Sequence, residues 1–183
     1  MYSRIIAVLL FILTSPVFVI VSIWIYLEDG GPVFFKQKRI GKGYTFFQIY
    51  KFRSMKKETP NVATHLLTNP EFFLLKSGTF LRKLSLDELP NLINIIKGEM
   101  VFVGPRPALY NQTDLMELRK KAGIENLKPG ITGWAQINGR DEISLEEKVN
   151  LEKYYLTNKS LFFDSKIIFL TLFAVFLRKG VKH

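Results

Sequence analysis

Between Ile5 and Leu27 the chain runs for 23 residues without a charge, IIAVLLFILTSPVFVIVSIWIYL. At about 1.5 Å rise per residue, a helix of this length reaches across a ~30 Å hydrocarbon core. The run is longer than the apolar region of a secretory signal and lacks a small-residue cleavage pattern at its end. Ser15-Pro16 stands at its centre, where proline removes a backbone donor and clashes with the carbonyl four residues back. Two arrangements fit: a kinked spanning helix, and a helix-break-helix hairpin that enters and leaves the same face. Arg4 precedes the run and Lys36, Lys38, Arg39 and Lys42 follow it. The preference of basic residues for the cytoplasmic side pulls both ends the same way, although composition leaves both arrangements open.

The rest of the composition narrows the chemistry. The 183 residues fit one functional unit, expected as a membrane helix over 1–28 followed by a catalytic domain over 29–183. With no cysteine there is no disulfide framework, thiolate nucleophile or sulfur-based metal site. His65 and His183 are the only histidines, too few for a His-rich metal site or a Ser-His-Asp triad. Catalysis has to rest on carboxylates, hydroxyls and cations. The net charge is +10, and from Gly30 to Lys57 there are eight basic residues and no acidic one. Such a stretch attracts anionic lipid, at about 1 kcal/mol per cation near the surface, or recognises a phosphorylated substrate. Both hold together if the substrate sits at the membrane.

An α+β fold is expected, mostly helical, with short strands. Thr45–Arg53 reads as a strand, and period-two alternation puts Phe47, Ile49, Lys51 and Arg53 on one face. The stretch 56–71, punctuated by Pro60, Asn61, Asn69 and Pro70, reads as a loop that could carry selectivity. Leu89, Leu92, Ile93 and Ile96 mark an apolar helical face stopped at Lys97-Gly98, and Met100–Val103 reads as a short strand. Asp114–Lys121 reads as a helix ended by Gly123, and Ser144-x-x-Glu147 as a capping box. Leu161–Leu177 is greasy but carries Asp164 and Lys166 and is followed by Arg178, Lys179 and Lys182. That pattern suits an amphipathic helix lying in the membrane interface or packed on the domain better than a second span.

Asp87 and Glu88 are adjacent carboxylates ahead of the 89–97 helix. Ser85-x-x-Glu88 fits a capping box, which is a purely structural use. That register puts Pro90 where its ring clashes, whereas a helix capped by Asp87 moves Pro90 into the tolerated first turn. Asp87 would then lie at the positive pole of the helix, which favours its ionised form. An ionised carboxylate beside a second one can hold Mg²⁺, attack phosphorus, or do both. Capping and catalysis both remain open on the residues alone. Arg106 in VGPRP, and Gln136, Asn138 and Arg140 in KPGITGWAQINGR, sit where rigid turns could present them to phosphate. Neither a Walker loop nor a Gly-x-Gly-x-x-Gly fingerprint is present, which counts against ATP-driven transfer and dinucleotide cofactors.

Ser15-Pro16, IYKFRSM (49–55), LSLDELPNLINIIKGEM (84–100), VGPRPALY (103–110) and KPGITGWAQINGR (128–140) together resemble the monotopic phosphoglycosyl transferases, the bacterial sugar transferase family. The length corresponds to the family's minimal catalytic unit. The TPNVAT and GPRPALYNQ stretches are most similar to small capsule-synthesis members that use a UDP-linked 6-deoxy-N-acetylhexosamine. The resemblance implies a ping-pong reaction: Asp87 takes a phosphosugar from a UDP-sugar with release of UMP, and undecaprenyl phosphate then takes it from Asp87. It implies Mg²⁺ with Asp87 as its protein ligand, assistance from Glu88, and substrate binding by Lys51, Arg53, Arg82, Arg106, Gln136 and Arg140. It also implies that Ser15 and Pro16 form a re-entrant break, with both ends cytoplasmic at the bacterial inner membrane. The partners are a UDP-sugar, the polyprenyl phosphate and inner-membrane lipid, without nucleic acid; a homodimer stays open. A non-enzymatic membrane-anchored basic module and a metal-dependent phosphodiesterase are the rival readings.

Overall fold

The structure, a computed structural model, describes residues 2–60, 69–139 and 143–177. Its α+β architecture wraps two small sheets with helices. Helix α1 (Tyr2–Asp29) contains Pro16 and is continuous through it, so the expected break does not divide the segment into two helices. The local chemistry explains this. Proline cannot donate to the carbonyl of Ile12, and the Ser15 hydroxyl donates to that oxygen instead, at 2.7 Å.

Ala7, Phe18, Val21 and Ile25 are buried, with Phe11 packed beside them, so one stripe at three- and four-residue spacing faces the domain on both sides of the proline. Leu9, Ile12, Leu13, Ile20 and Leu27 are exposed. Both ends are tied to the same body. Arg4 Nη2 donates to the Lys97 carbonyl at 3.2 Å. The Glu28 carboxylate accepts from the Lys76 and Ser77 N–H groups, which open helix α2 (Lys76–Lys83). Arg53 pairs with Asp29 at 2.7 Å and donates to the carbonyls of Asp29 and Gly30.

Strand β1 (Phe34–Ile40) forms an antiparallel hairpin with β2 (Phe46–Phe52), the strand expected over 45–53. Helix α3 (Asn91–Lys97) packs on β2 and stops at Gly98, which takes the left-handed conformation at φ 81°. Its inner face differs from the expected one: Leu92 and Ile95 are buried alongside two asparagines, Asn91 and Asn94, while Ile93 and Ile96 are half-buried. Asn94 makes this possible by donating to the Gln48 carbonyl and accepting from the Tyr50 N–H, which fastens α3 to β2.

Strand β3 (Val101–Val103) lies parallel to β5 (Gly130–Thr132), and the two-residue β4 (Ala108–Leu109) pairs with the outer edge of β1. The turn Gly104–Pro107 therefore leaves one sheet and enters the other.

Helix α4 (Thr113–Lys121) ends before Gly123, at φ 73°, and the one-turn α5 (Trp134–Ile137) follows β5. Ser144 Oγ accepts from the Glu147 N–H and opens α6 (Leu145–Asn158), as expected. Arg119 of α4 and Glu152 of α6 form a buried two-point ion pair. Breaking such a pair by removing one partner costs about 3–5 kcal/mol, because the other charge is left in a dry site. Glu152→Ala is expected to lose that much stability, readable as a lowered melting temperature in detergent.

Helix α7 (Leu161–Leu177) packs on the domain, with Ile167 buried, the Thr171 and Thr132 hydroxyls bonded at 2.7 Å, and Asp164 accepting from Tyr155. Burial and the Asp164 carboxylate together push the Tyr155 hydroxyl well above its usual range, which keeps it a neutral donor. Leu161, Phe162, Phe169, Leu172 and Phe173 point outward. The basic residues Arg178, Lys179 and Lys182 lie outside the described residues.

Candidate active site

The carboxylate pair does not cap a helix. Ser85 takes the left-handed conformation at φ 55°, its side chain makes no cap bond, and Leu86–Glu88 form a separate turn of 3-10 helix. Pro90 holds the N-cap position of α3 with αR backbone angles. Both registers expected from sequence assumed one continuous helix. The chain instead uses two short ones, which moves Pro90 out of the helix body.

Asp87 is accordingly not at the pole of α3, and its environment reverses the expected direction. Burial pushes its carboxyl above the ordinary value of 3.8; Lys51 opposes this, the Glu88 charge adds to it, and Arg82 opposes it. A carboxyl raised on folding binds protons more readily in the folded state than in the unfolded one. Its ionised form at neutral pH therefore lowers stability.

Lys51 Nζ lies 2.5 Å from Glu88 Oε1. Strand β2 brings that lysine to the 86–88 turn, and the same turn approaches α2, whose Arg82 donates from Nε to Ser54 Oγ at 2.9 Å. Lys51, Glu88 and Arg106 share one cleft with Arg39 and Asn91, walled by Ile49, Met100 and Ile131. The Gly104–Pro107 turn is held there by arginines from two sides: Arg119 Nη2 donates to the Arg106 carbonyl at 2.9 Å, and Arg39 Nη1 to that of Pro107 at 3.1 Å.

The remaining expected site residues lie elsewhere. Arg53, next but one to Lys51, is buried and engaged with Asp29 and Gly30 at the end of α1. Gln136 donates from Nε2 to the Ile131 carbonyl, so it braces the cleft wall. Arg140 and residues 61–68 of the expected loop fall outside the described residues. In the sequence Arg39 stands out only as part of a basic flank, and Asn91 is not among the expected site residues, yet both line the cleft. The signal for Asn91 was available, since a polar residue in the apolar run LPNLINII has to be paired or functional once buried.

Among the described residues no three His, Cys, Asp or Glu side chains come together as a metal cage. Mg²⁺ does not need one, because it keeps several waters and binds through one or two carboxylates plus substrate phosphates. The adjacent carboxylates of Asp87 and Glu88 match that donor set in chemistry.

Comparison with known proteins accords with the site. The uncharacterized sugar transferase EpsL of Bacillus subtilis (strain 168) is 43% identical over 97% of this chain and 86% of its own length. The exopolysaccharide production protein ExoY of Rhizobium meliloti (strain 1021) is 38% identical over 96% of this chain and 82% of its own length. The UDP-glucose:undecaprenyl-phosphate glucose-1-phosphate transferase of Escherichia coli (strain K12) is 40% identical over 96% of this chain, which spans 39% of that longer protein. The bacterial sugar transferase family matches residues 1–178, carrying the carboxylate pair, the cationic cleft and the apolar helix together, and the chain belongs to that family.

Proposed function

We propose that the chain is a phosphoglycosyl transferase that moves a sugar 1-phosphate from a UDP-sugar to undecaprenyl phosphate, the first membrane step in making a surface polysaccharide such as a capsule. The observation that carries this reading is the meeting of Glu88 with Arg39, Lys51 and Arg106 at one cleft of a domain clamped to an apolar helix, with Asp87 next to Glu88 in the field of Lys51 and Arg82. The names of family relatives, among them a UDP-N-acetylgalactosamine-undecaprenyl-phosphate N-acetylgalactosaminephosphotransferase of Aeromonas hydrophila, support the same reaction class.

An Asp87 carboxylate oxygen bonds to the β-phosphorus of the donor while the bond from that phosphorus to the bridging oxygen breaks, and UMP leaves with the electron pair. A phosphate oxygen of undecaprenyl phosphate then bonds to the same phosphorus. The aspartyl oxygen leaves, which regenerates Asp87 and gives a lipid-linked diphosphosugar. Lys51 holds Glu88 in place and, with Arg39 and Arg106, offsets the charge of the diphosphate. Asp87, with Glu88 beside it, would hold Mg²⁺, which when bound supplies further neutralisation of the diphosphate. Covalent storage on Asp87 suits one soluble and one lipid-bound substrate, because both need not be held at once.

The donor is read as an N-acetylated, 6-deoxy hexosamine, from the resemblance of TPNVAT and GPRPALYNQ to capsule-synthesis members. A panel of UDP-sugars with undecaprenyl phosphate and Mg²⁺ tests the whole scheme. UMP release together with a lipid diphosphosugar is expected. A free sugar phosphate would mean hydrolysis, and inertness toward every member would overturn the reading.

We also read α1 as re-entrant, with both ends and the catalytic domain on the cytoplasmic side of the inner membrane. The clamping of Arg4 at one end and of Glu28 and Asp29 at the other to a single domain supports this. Tags at either end are expected to react only after the inner membrane is opened. Labelling of the N-terminal tag in intact spheroplasts would restore a spanning helix.

A further inference from the structure

Two buried asparagines on α3 are treated differently by the fold. Asn94 is 0% exposed and spends its whole amide on structure, donating to the Gln48 carbonyl and to Glu99 and accepting from the Tyr50 N–H. Asn91, one turn earlier and 1% exposed, has an Oδ1 that accepts no hydrogen bond. A buried acceptor without a donor is costly, and an apolar side chain of the same shape would avoid the cost. Asn91 lines the cleft that holds Lys51, Glu88 and Arg106.

The cations of that cleft match ionised phosphate oxygens, which have no proton to give. An amide oxygen needs a donor, and the donor has to come from another part of the substrate. Asn91 stands three residues after Glu88, on the element that follows the nucleophile directly. The group bonded directly to the phosphorus under attack is the hexose, whereas the ribose is separated from it by a second phosphate.

We propose that Asn91 is a binding residue for the transferred hexose, its Oδ1 accepting from a hydroxyl or amide N–H of the sugar and completing a bond that the fold leaves open. This rests on the transferase reading above and assigns a contact within that site. Binding rather than turnover tests it, in an Asp87→Asn background where no phosphosugar is transferred.

The probes are UMP, UDP, UDP-glucose and UDP-N-acetylgalactosamine, titrated calorimetrically in detergent. Adding Asn91→Leu is expected to weaken the tighter-binding UDP-sugar about ten-fold, the scale of one hydrogen bond, and to leave UMP and UDP unchanged. Its melting temperature should hold or rise, because an unpaired acceptor has been removed. If the leucine does not fit, Asn91→Ala reads the same affinity contrast.

Unchanged affinity for every probe, or equal weakening of UMP and the UDP-sugar, overturns the hexose contact and leaves the transferase reading standing. Failure of the Asp87→Asn parent to bind any of the four overturns both.

Discussion

Asp87→Asn is expected to reduce UMP release at least ~10³-fold while leaving the protein as stable as the parent or more so. The two halves have separate causes. Asparagine keeps the shape of the side chain but offers phosphorus no nucleophilic oxygen, so the first transfer has no route. Stability moves the other way because burial and the Glu88 charge already disfavour an ionised Asp87, with Lys51 and Arg82 only partly offsetting them. Since the folded carboxyl sits above its ordinary 3.8, parent stability falls as pH climbs from that value toward the raised one and is flat beyond it. The asparagine variant should lack this slope. Melting temperatures across acid to neutral pH, beside UMP release, check both halves. Substantial residual turnover would remove Asp87 as the nucleophile, and a collapsed melting temperature would mean that its charge is structural.

The second large effect is expected at a glycine. Gly130 begins β5 where the 128–133 segment crosses the Gly104 turn, and its N–H donates to the Pro105 carbonyl at 2.9 Å. A Cβ on Gly130 would stand 2.2 Å from the Gly104 nitrogen and 2.5 Å from the Thr132 oxygen, both backbone atoms that no rotamer change can move. Gly104 and Gly133 face the same crowding, at 2.4 Å from the Lys128 oxygen and 2.2 Å from the Gly104 oxygen. Gly130→Ala is expected to cost about 3 kcal/mol, roughly 10 °C of melting temperature for a domain of this size. It should also lower UMP release per folded molecule, because β3 and β5 separate and the Arg106 turn moves with them. Gly123→Ala is the control. Its Cβ meets open space and only its φ of +73° is strained, so about 1–2 kcal/mol is lost with turnover kept. Equal effects at the two positions would refute the close-approach account.

These contrasts mark what the residues could disclose. β2, the Ser144 cap and the stop at Gly123 depend on a few neighbouring residues, and such local signals survive folding intact. The pairing of β4 with β1 joins segments some seventy residues apart, and with it the arrival of Arg39 beside the Arg106 turn. No period in the chain encodes that meeting. The Asp87 register is not legible from proline's cost within one helix, because a left-handed Ser85 lets the backbone begin again. At Pro16 the missing donor is plain from the residue type, whereas its replacement by the Ser15 hydroxyl depends on a rotamer. The resemblance points to Lys51, Glu88 and Arg106, which on the residues alone have ordinary structural uses, and the fold brings the three to one cleft. It points equally to Arg53, which serves the end of α1.

Anchoring α1 at both ends has a mechanical consequence. A helix joined to its domain through a single linker can tilt to suit the bilayer while the domain stays where it is. Here Arg4 rivets one end of the helix and Glu28 and Asp29 the other, so any tilt is a tilt of the cleft itself. The height of Lys51 and Arg106 relative to α1 thereby becomes a fixed dimension of the protein, like the offset of a blade set in its handle.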